Sequence, residues 1–411
     1  MSILYTLSQY IYLAGIALSS LFNTKARKWL EGRRGWYGEL KKRLPQEGGR
    51  FWFHCASLGE FEQGRPVIEA FRKRFPHDAI ILTFFSPSGY EIRKDYDQAD
   101  LVMYLPADLK INARRFVRTV NPRAAFFIKY EFWFNYLSEL GSAGIPFFLV
   151  SGKFRSHQHF FTWYGRWFRE KLKHFSWFFL QDEPSLSLLA KAGITAASVA
   201  GDTRFDRVSA VMEQKRSFPL IESFKGDSRL LVAGSTWPPD EEKLADLFGS
   251  ERLKFVIAPH EVGAGRIESI LALAGSKAVR YSETDVFRVR NARVLVVDEV
   301  GFLSHLYRYA DIAYIGGGYG RGIHNILEAA AFGCPLIFGP RYQKFGEATD
   351  LVARGGAYVV HNASGLTEKV RELLDDELLR QTCSSICSGY VSSNRGATDR
   401  ILSRVVDLLG L

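Results

Sequence analysis

From about residue 50 the chain alternates between short apolar runs and longer segments whose apolar positions recur every three or four residues. The runs Phe51–Ala56, Ile80–Phe84, Leu101–Tyr104, Ala124–Ile128, Phe147–Val150, Phe178–Leu180 and Ser198–Ala200 lack the apolar–polar alternation of a half-exposed strand. They predict parallel strands buried on both faces. Between the first two lies a helical pattern, Phe61–Phe75, with Val67, Ile68, Phe71 and Phe75 on one face. This βα alternation predicts a doubly wound α/β fold. The rhythm breaks at Val211–Asp227, a polar stretch with Pro219 and Gly226 that reads as a linker. It restarts with the strand-like runs Leu230–Ala233, Phe255–Ala258, Val294–Val297, Ile312–Ile315, Leu336–Phe338 and Tyr358–Val360. Trp237-Pro238-Pro239-Asp240-Glu241-Glu242 predicts a helix opening, with proline in the first turn and acids near the positive end of the helix dipole. Two Rossmann-like domains follow, 25–210 and 229–411, joined by a linker at 211–228. The last helix of the chain is free to pack on the first domain. Ligands are expected in a cleft between the domains, beyond the carboxyl ends of the strands.

The amino terminus changes the picture. Ile3 to Phe22 carries no charge and is mostly apolar, although Thr6, Ser8, Gln9, Ser19 and Ser20 interrupt it. As a helix it would rise about 30 Å, the thickness of a hydrocarbon core. It has no basic leader and no clear cleavage site, which argues against a signal peptide. Residues 1–50 hold nine Lys or Arg against Glu31, Glu39 and Glu47, more than half of the net charge of +10. Positive residues just after an apolar helix favour the cytoplasmic face and anionic lipid head groups. Residues 1–24 are therefore expected to anchor the chain to a membrane, spanning it or lying in its interface. The basic charge is not interleaved with aromatics along a groove, which argues against nucleic acid as partner. Cys55, Cys334, Cys383 and Cys387 fit no zinc spacing and read as buried thiols in a reducing compartment.

Four constellations could carry chemistry. In Phe53-His54-Cys55-Ala56-Ser57-Leu58-Gly59-Glu60-Phe61 a strand ends in a short turn and a helix begins, placing Glu60 at the carboxyl edge of the sheet. A carboxylate there can take a proton from an alcohol. Position alone fits a helix-start glutamate at least as well. In Tyr314-Ile315-Gly316-Gly317-Gly318-Tyr319-Gly320-Arg321-Gly322-Ile323-His324-Asn325-Ile326-Leu327-Glu328 a strand runs into a glycine-rich loop and then a helix. Gly317 and Gly318 would let backbone N–H groups approach a phosphate, and Glu328, a turn into the helix, could accept from ribose hydroxyls. The spacing is neither that of a dinucleotide site nor that of a P-loop. Ser235, Pro259-His260-Glu261 and Val300-Gly301-Phe302 lie in strand-end loops and together outline a nucleotide pocket in the second domain. Glu131 and Arg204 follow strands of the first domain. Arg204 could neutralise a phosphate or a sugar carboxylate, or the two could form a structural ion pair. Asp95-Tyr96-Asp97 matches a metal-binding D-x-D pattern but lies among Lys94, Gln98 and Asp100, and reads as a solvated surface.

As a set in this order, Ala56-Ser57-Leu58-Gly59-Glu60-Phe61, Thr83-Phe84-Phe85-Ser86-Pro87-Ser88-Gly89, Val232-Ala233-Gly234-Ser235-Thr236 and His324-Asn325-Ile326-Leu327-Glu328-Ala329 resemble the 3-deoxy-D-manno-octulosonic acid (Kdo) transferases of lipopolysaccharide synthesis. The resemblance covers nearly the whole chain. It implies the GT-B architecture, two Rossmann-like domains facing a cleft. It also implies inverting transfer of Kdo from CMP-Kdo to a lipid A precursor at the cytoplasmic face of a bacterial inner membrane, without a required metal or other cofactor. By motif, Glu60 is implied as general base and Glu131 and Arg204 as transition-state stabilisers. Pro259, His260, Val300, Gly301, Phe302, Asn325, Ile326, Leu327 and Glu328 fall where the family binds CMP. Many relatives have Pro-Arg-His in place of Pro259-His260-Glu261 and a lysine in place of Arg204, and some have a longer loop than Gly316–Ile323. Two competing readings are a soluble sugar-nucleotide epimerase of the same fold and a membrane-attached CMP-sugar-binding protein without turnover. The apolar amino terminus argues against the first and the retained Glu60 against the second.

Overall fold

The computed structural model describes the backbone of residues 2–411 and the side chains from Leu4 onward. It divides into two units, Met1–Arg207 with Arg395–Leu411, and Val208–Asn394. In the first, strands β1 (Arg50–Cys55), β2 (Ala79–Phe84), β3 (Leu101–Tyr104), β4 (Ala124–Ile128), β5 (Phe147–Gly152), β6 (Trp177–Leu180) and β7 (Ala197–Val199) form one sheet. Its order is β3-β2-β1-β4-β5-β6-β7, and every pairing is parallel. Alternate residues of β1 explain why the run is apolar throughout. Phe51, Phe53 and Cys55 enter a core with Phe71, Phe126 and Phe148, while Trp52 enters a second core with Phe116, Phe127 and Tyr136. The last helix, Ala397–Leu409, contributes Ile401 and Val405 to the former.

The second unit repeats the plan with β8 (Arg229–Thr236), β9 (Leu253–Pro259), β10 (Ala278–Arg280), β11 (Val294–Val296), β12 (Ile312–Ile315), β13 (Leu336–Phe338) and β14 (Ala357–Val359). Its order is β10-β11-β9-β8-β12-β13-β14, again all parallel. Strand order reverses at β1 in one sheet and at β8 in the other. Such switch points open a crevice beyond the strands' carboxyl ends, where this class of sheet binds ligands.

Three expectations change. Residues 211–228 are not a linker. The helix Thr203–Glu213 runs into them, and the helix Pro219–Lys225 belongs to the second unit, with Ile221 and Phe224 fully buried. Pro219 opens that helix, where its missing N–H costs nothing. Strand β10 was not legible, because a half-exposed three-residue edge strand ending in Arg280 has no apolar run to announce it. The amino-terminal helix, Ser2–Ser19, is not a membrane-anchoring span; no helix among the described residues is long and apolar enough to cross a bilayer. One side of it packs on the protein. Tyr5 donates to the buried carboxyl of Asp108 and lies against Phe134 and Trp167. Burial pushes the Asp108 carboxyl up to about 6. All four cysteines are free and buried. Asp95 and Asp97 are exposed on either side of buried Tyr96.

Candidate active site

The first-domain residues gather at the switch point. Ser57 is the N-cap of the helix Leu58–Arg74, and Glu60 is its third helical residue. This S-x-x-E spacing is that of a capping box, yet the Ser57 side chain makes no cap bond and its hydroxyl donates to Glu60 Oε2 instead. Glu60 is half-buried in the first turn of its helix. The segment Ser86–Gly89 holds the turn in place. Ser86 N–H donates to the Ala56 carbonyl at 2.7 Å, and Ser86 caps the helix Pro87–Arg93. A Cβ at Gly89 would lie 3.1 Å from the Ser57 carbonyl carbon and 2.4 Å from the Phe84 ring, so glycine permits this approach.

Glu131 follows β4, the neighbour of β1. Its Oε2 accepts from Trp133 Nε1 at 2.6 Å and lies 3.3 Å from His54 Nε2. Trp133 rests on Phe85 with ring centroids 4.6 Å apart. Burial raises the Cys55 thiol pKa first, and the charges of Glu60, Glu131 and Glu62 raise it further. Arg204 opens the helix Thr203–Glu213 and forms a fork with Asp202, whose Oδ2 accepts from Nε at 2.9 Å and Nη2 at 2.7 Å. Asp202 is thus an ion-pair partner of Arg204. Thr203 joins it to the same edge by donating to the Gln63 carbonyl at 2.5 Å, one turn beyond Glu60.

In the second unit, Ser235 interrupts the end of β8 with a left-handed φ of 53°. The glycine loop follows β12, the partner of β8, so both lie at that sheet's switch point. Its glycines serve close backbone packing. A Cβ at Gly316 would lie 2.3 Å from the Ser235 carbonyl oxygen, and one at Gly318 2.5 Å from Gly339 N. Gly317 has a φ of 90°, which favours glycine. Asp240 fixes the loop, accepting from Gly317 N–H at 2.9 Å, Trp237 N–H at 2.9 Å and Tyr314 O–H at 2.8 Å. Two of the acids at this helix start, Asp240 and Glu241, are thus buried, while Glu242 is exposed. Burial raises the Asp240 pKa, and Glu241 accepts from Thr236 and Arg266.

His260, just past Pro259 at the end of β9, is exposed and stacks on Trp237 and His324 at 4.9 and 4.4 Å. Burial, aided by His260, holds His324 down to about 4; its Nε2 accepts from Trp237 Nε1 at 3.0 Å. Phe302 is buried against Phe218 and Tyr281, while Val300 and Gly301 form the turn before it, Val300 exposed and Gly301 at a φ of 103°. Asn325 bonds Leu327 N–H and the Glu328 carboxylate at the start of the short helix Leu327–Ala331, whose buried residues include Leu327. Glu328 lies in the first turn of this helix, because the loop runs on to Ile326. Ile326 is buried.

Sequence reasoning missed His54, Thr83, Trp133, Asp240 and the Trp237–His324 pair. The available signal was a histidine inside an otherwise apolar buried strand, which needs polar partners.

Residues 28–207 match the family model described as 3-Deoxy-D-manno-octulosonic-acid transferase (kdotransferase). The chain is 26% identical over 407 residues to the 3-deoxy-D-manno-octulosonic acid transferase of Haemophilus influenzae, covering 96% of this chain and 94% of the relative. It is 28% identical over 382 residues to that of Bordetella pertussis, covering 87% of each. Among solved structures it resembles the UDP-GlcNAc 2-epimerase of Neisseria meningitidis, with a TM-score of 0.62 and 15% identity over 87% of this chain and all of that one. It also resembles a glycosyltransferase of Rickettsia africae, with a TM-score of 0.58 and 12% identity over 88% and 99%. At these identities the structural likenesses establish the fold alone.

Proposed function

We propose that this chain, a Kdo transferase by its family match and its relatives, moves Kdo from CMP-Kdo to a lipid A precursor with inversion, Glu60 acting as general base in a GT-B enzyme. The observation that carries the reading is the placement of Glu60: a half-buried carboxylate at a strand-order switch point, steadied by Ser57, with a second acid, Glu131, following the neighbouring strand. Inversion is a single displacement, so one base suffices and no carboxylate nucleophile is needed. CMP departs as a stabilised phosphate, so no general acid is needed. Charge gathering on that phosphate calls for donors fixed in advance. Arg204, oriented by Asp202, is assigned to it, and Ser235, His260, the Gly318 backbone and Asn325 to Glu328 are assigned to the nucleotide. Metal is not required in this scheme. The decisive experiment mixes purified protein with CMP-Kdo and a lipid A precursor and reads product mass. An increase by one or more Kdo units is expected, and an unchanged acceptor overturns the reading.

A lipid acceptor requires the enzyme to meet a membrane surface. Leu4, Leu7, Ile11, Leu18, Leu21 and Phe22 of the amino-terminal segment are exposed, beside exposed Lys25, Arg27 and Lys28. Trp163, 91% exposed, and Tyr164 lie in the segment that also supplies Trp167 against Tyr5. An apolar face with flanking cations and aromatics suits the plane of an anionic interface. Each large aliphatic side chain is worth about 1.5–3 kcal/mol when buried. The double change Leu7→Asp and Ile11→Asp is therefore expected to lower binding to anionic vesicles in flotation by about tenfold or more. Equal flotation of wild type and variant contradicts the interfacial role.

A further inference from the structure

We infer that His54 is a positioning residue of the transfer reaction: a relay from Thr83 fixes its tautomer, and through it fixes the carboxylate of Glu131. The inference rests on the function proposed above and adds residues which that reading does not use. His54 is fully buried at the end of β1, in register with Thr83 of β2. A buried imidazole has two nitrogens to satisfy, and the hydrogen bond at one decides what the other can do. Trp52 Nε1–H donates to Thr83 Oγ1 at 2.8 Å, which occupies that oxygen as an acceptor. The Thr83 hydroxyl proton has two acceptors in reach, His54 Nδ1 at 2.9 Å and the Phe53 carbonyl at 3.3 Å. The shorter contact assigns it to Nδ1. The imidazole proton then sits on Nε2, which faces Glu131 Oε2. Trp133 Nε1–H lies 2.6 Å from the same oxygen and 3.0 Å from His54 Nε2, and the carboxylate takes it. Every proton is then used once.

Two N–H groups therefore converge on Oε2 of Glu131, whose side chain is only 11% exposed. The carboxylate plane is fixed, and Oε1 is left to meet the reacting groups. The scheme also accounts for Thr83 and Phe85: Thr83 sets the histidine tautomer, and Phe85 supports the Trp133 ring. Arg33 locks that corner. Its guanidinium donates to the Phe85 carbonyl at 2.7 Å and lies over the Trp29 ring, and burial pulls its pKa down to about 9.

The test combines turnover with a spectroscopic readout. His54→Ala is expected to lower kcat by about 10–100-fold, the usual cost of losing an orienting partner, with KM for both substrates little changed. His54→Gln keeps a donor at the Nε2 position and should recover most of the rate. His54→Asn keeps only the Nδ1 side and should not. If His54 acts through Glu131, His54→Ala costs nothing further in a Glu131→Ala background. Thr83→Val gives a second, nearly isosteric entry should the alanine variant fold poorly. Nitrogen-15 spectra of labelled histidine, with His54→Gln to assign the signal, should show the proton on Nε2. Unchanged kcat in folded His54→Ala, full additivity in the double variant, or a proton on Nδ1 each overturns the inference. Wild-type protein without transfer activity but with an Nε2–H signal overturns the function proposed above and leaves the relay standing.

Discussion

Replacing Glu60 with Gln should give a folded protein whose transfer rate is lower by about 10²–10⁴-fold, the range general-base catalysis supplies. An acceptor alcohol is far too weak an acid to ionise before it attacks. The carboxylate takes the proton as the new C–O bond forms, so its contribution belongs to the transition state and kcat should carry the loss. Gln matches the shape of Glu and can still accept from the Ser57 hydroxyl, but it cannot take up the proton. Glu60→Ala removes shape and base together. The comparison separates two roles. If Glu60 only orders the turn, Gln preserves the rate and Ala loses it; if Glu60 is the base, both lose it to a similar degree. Near-wild-type transfer by folded Glu60→Ala would sink the assignment.

The largest stability effect is expected at Asp240. Asp240→Ala leaves three inward donors without their acceptor: Gly317 N–H, Trp237 N–H and Tyr314 O–H. Each buried unsatisfied group costs about 1–3 kcal/mol, and partial relaxation brings the sum to about 3–5 kcal/mol. For a unit of this size that is a fall in Tm of roughly 10 °C. Asp240→Asn keeps an oxygen for one or two of the donors and should lose about half as much. Calorimetry of the whole chain reads both. An alanine variant melting within about 2 °C of wild type would show that the glycine loop holds its shape without Asp240.

Most of the fold was legible because parallel strands bury both faces and so write themselves as unbroken apolar runs. Thirteen of the strands could be read that way, and β10 could not. The gathering of Glu60 with Glu131 was less legible, since it depends on β1 and β4 being neighbours, a pairing across some seventy residues that the sequence does not print. Other features were misread for physical reasons. Pro219 looked like a breaker because prolines punctuate loops, yet it also suits the first turn of a helix. Asp240 read only as an acid at the positive end of a helix dipole, because its three donors come partly from segments distant in sequence. The glycines of 316–318 read as room for a ligand, and the close passage of backbone by backbone at Gly316 and Gly318 was not legible.

The first unit is closed by the end of the chain. Asp206 accepts from Gly396 N–H and from both the N–H and the hydroxyl of Thr398, and Ile401 and Val405 complete a core begun at residue 51. Synthesis therefore delivers the first unit unfinished. The whole second unit must leave the ribosome before its last apolar contacts are available. A stop codon near residue 394 would leave the second unit whole in sequence and expose the interior of the first. The lesion would lie almost two hundred residues beyond Arg207, yet the defect would fall in the domain that was translated first.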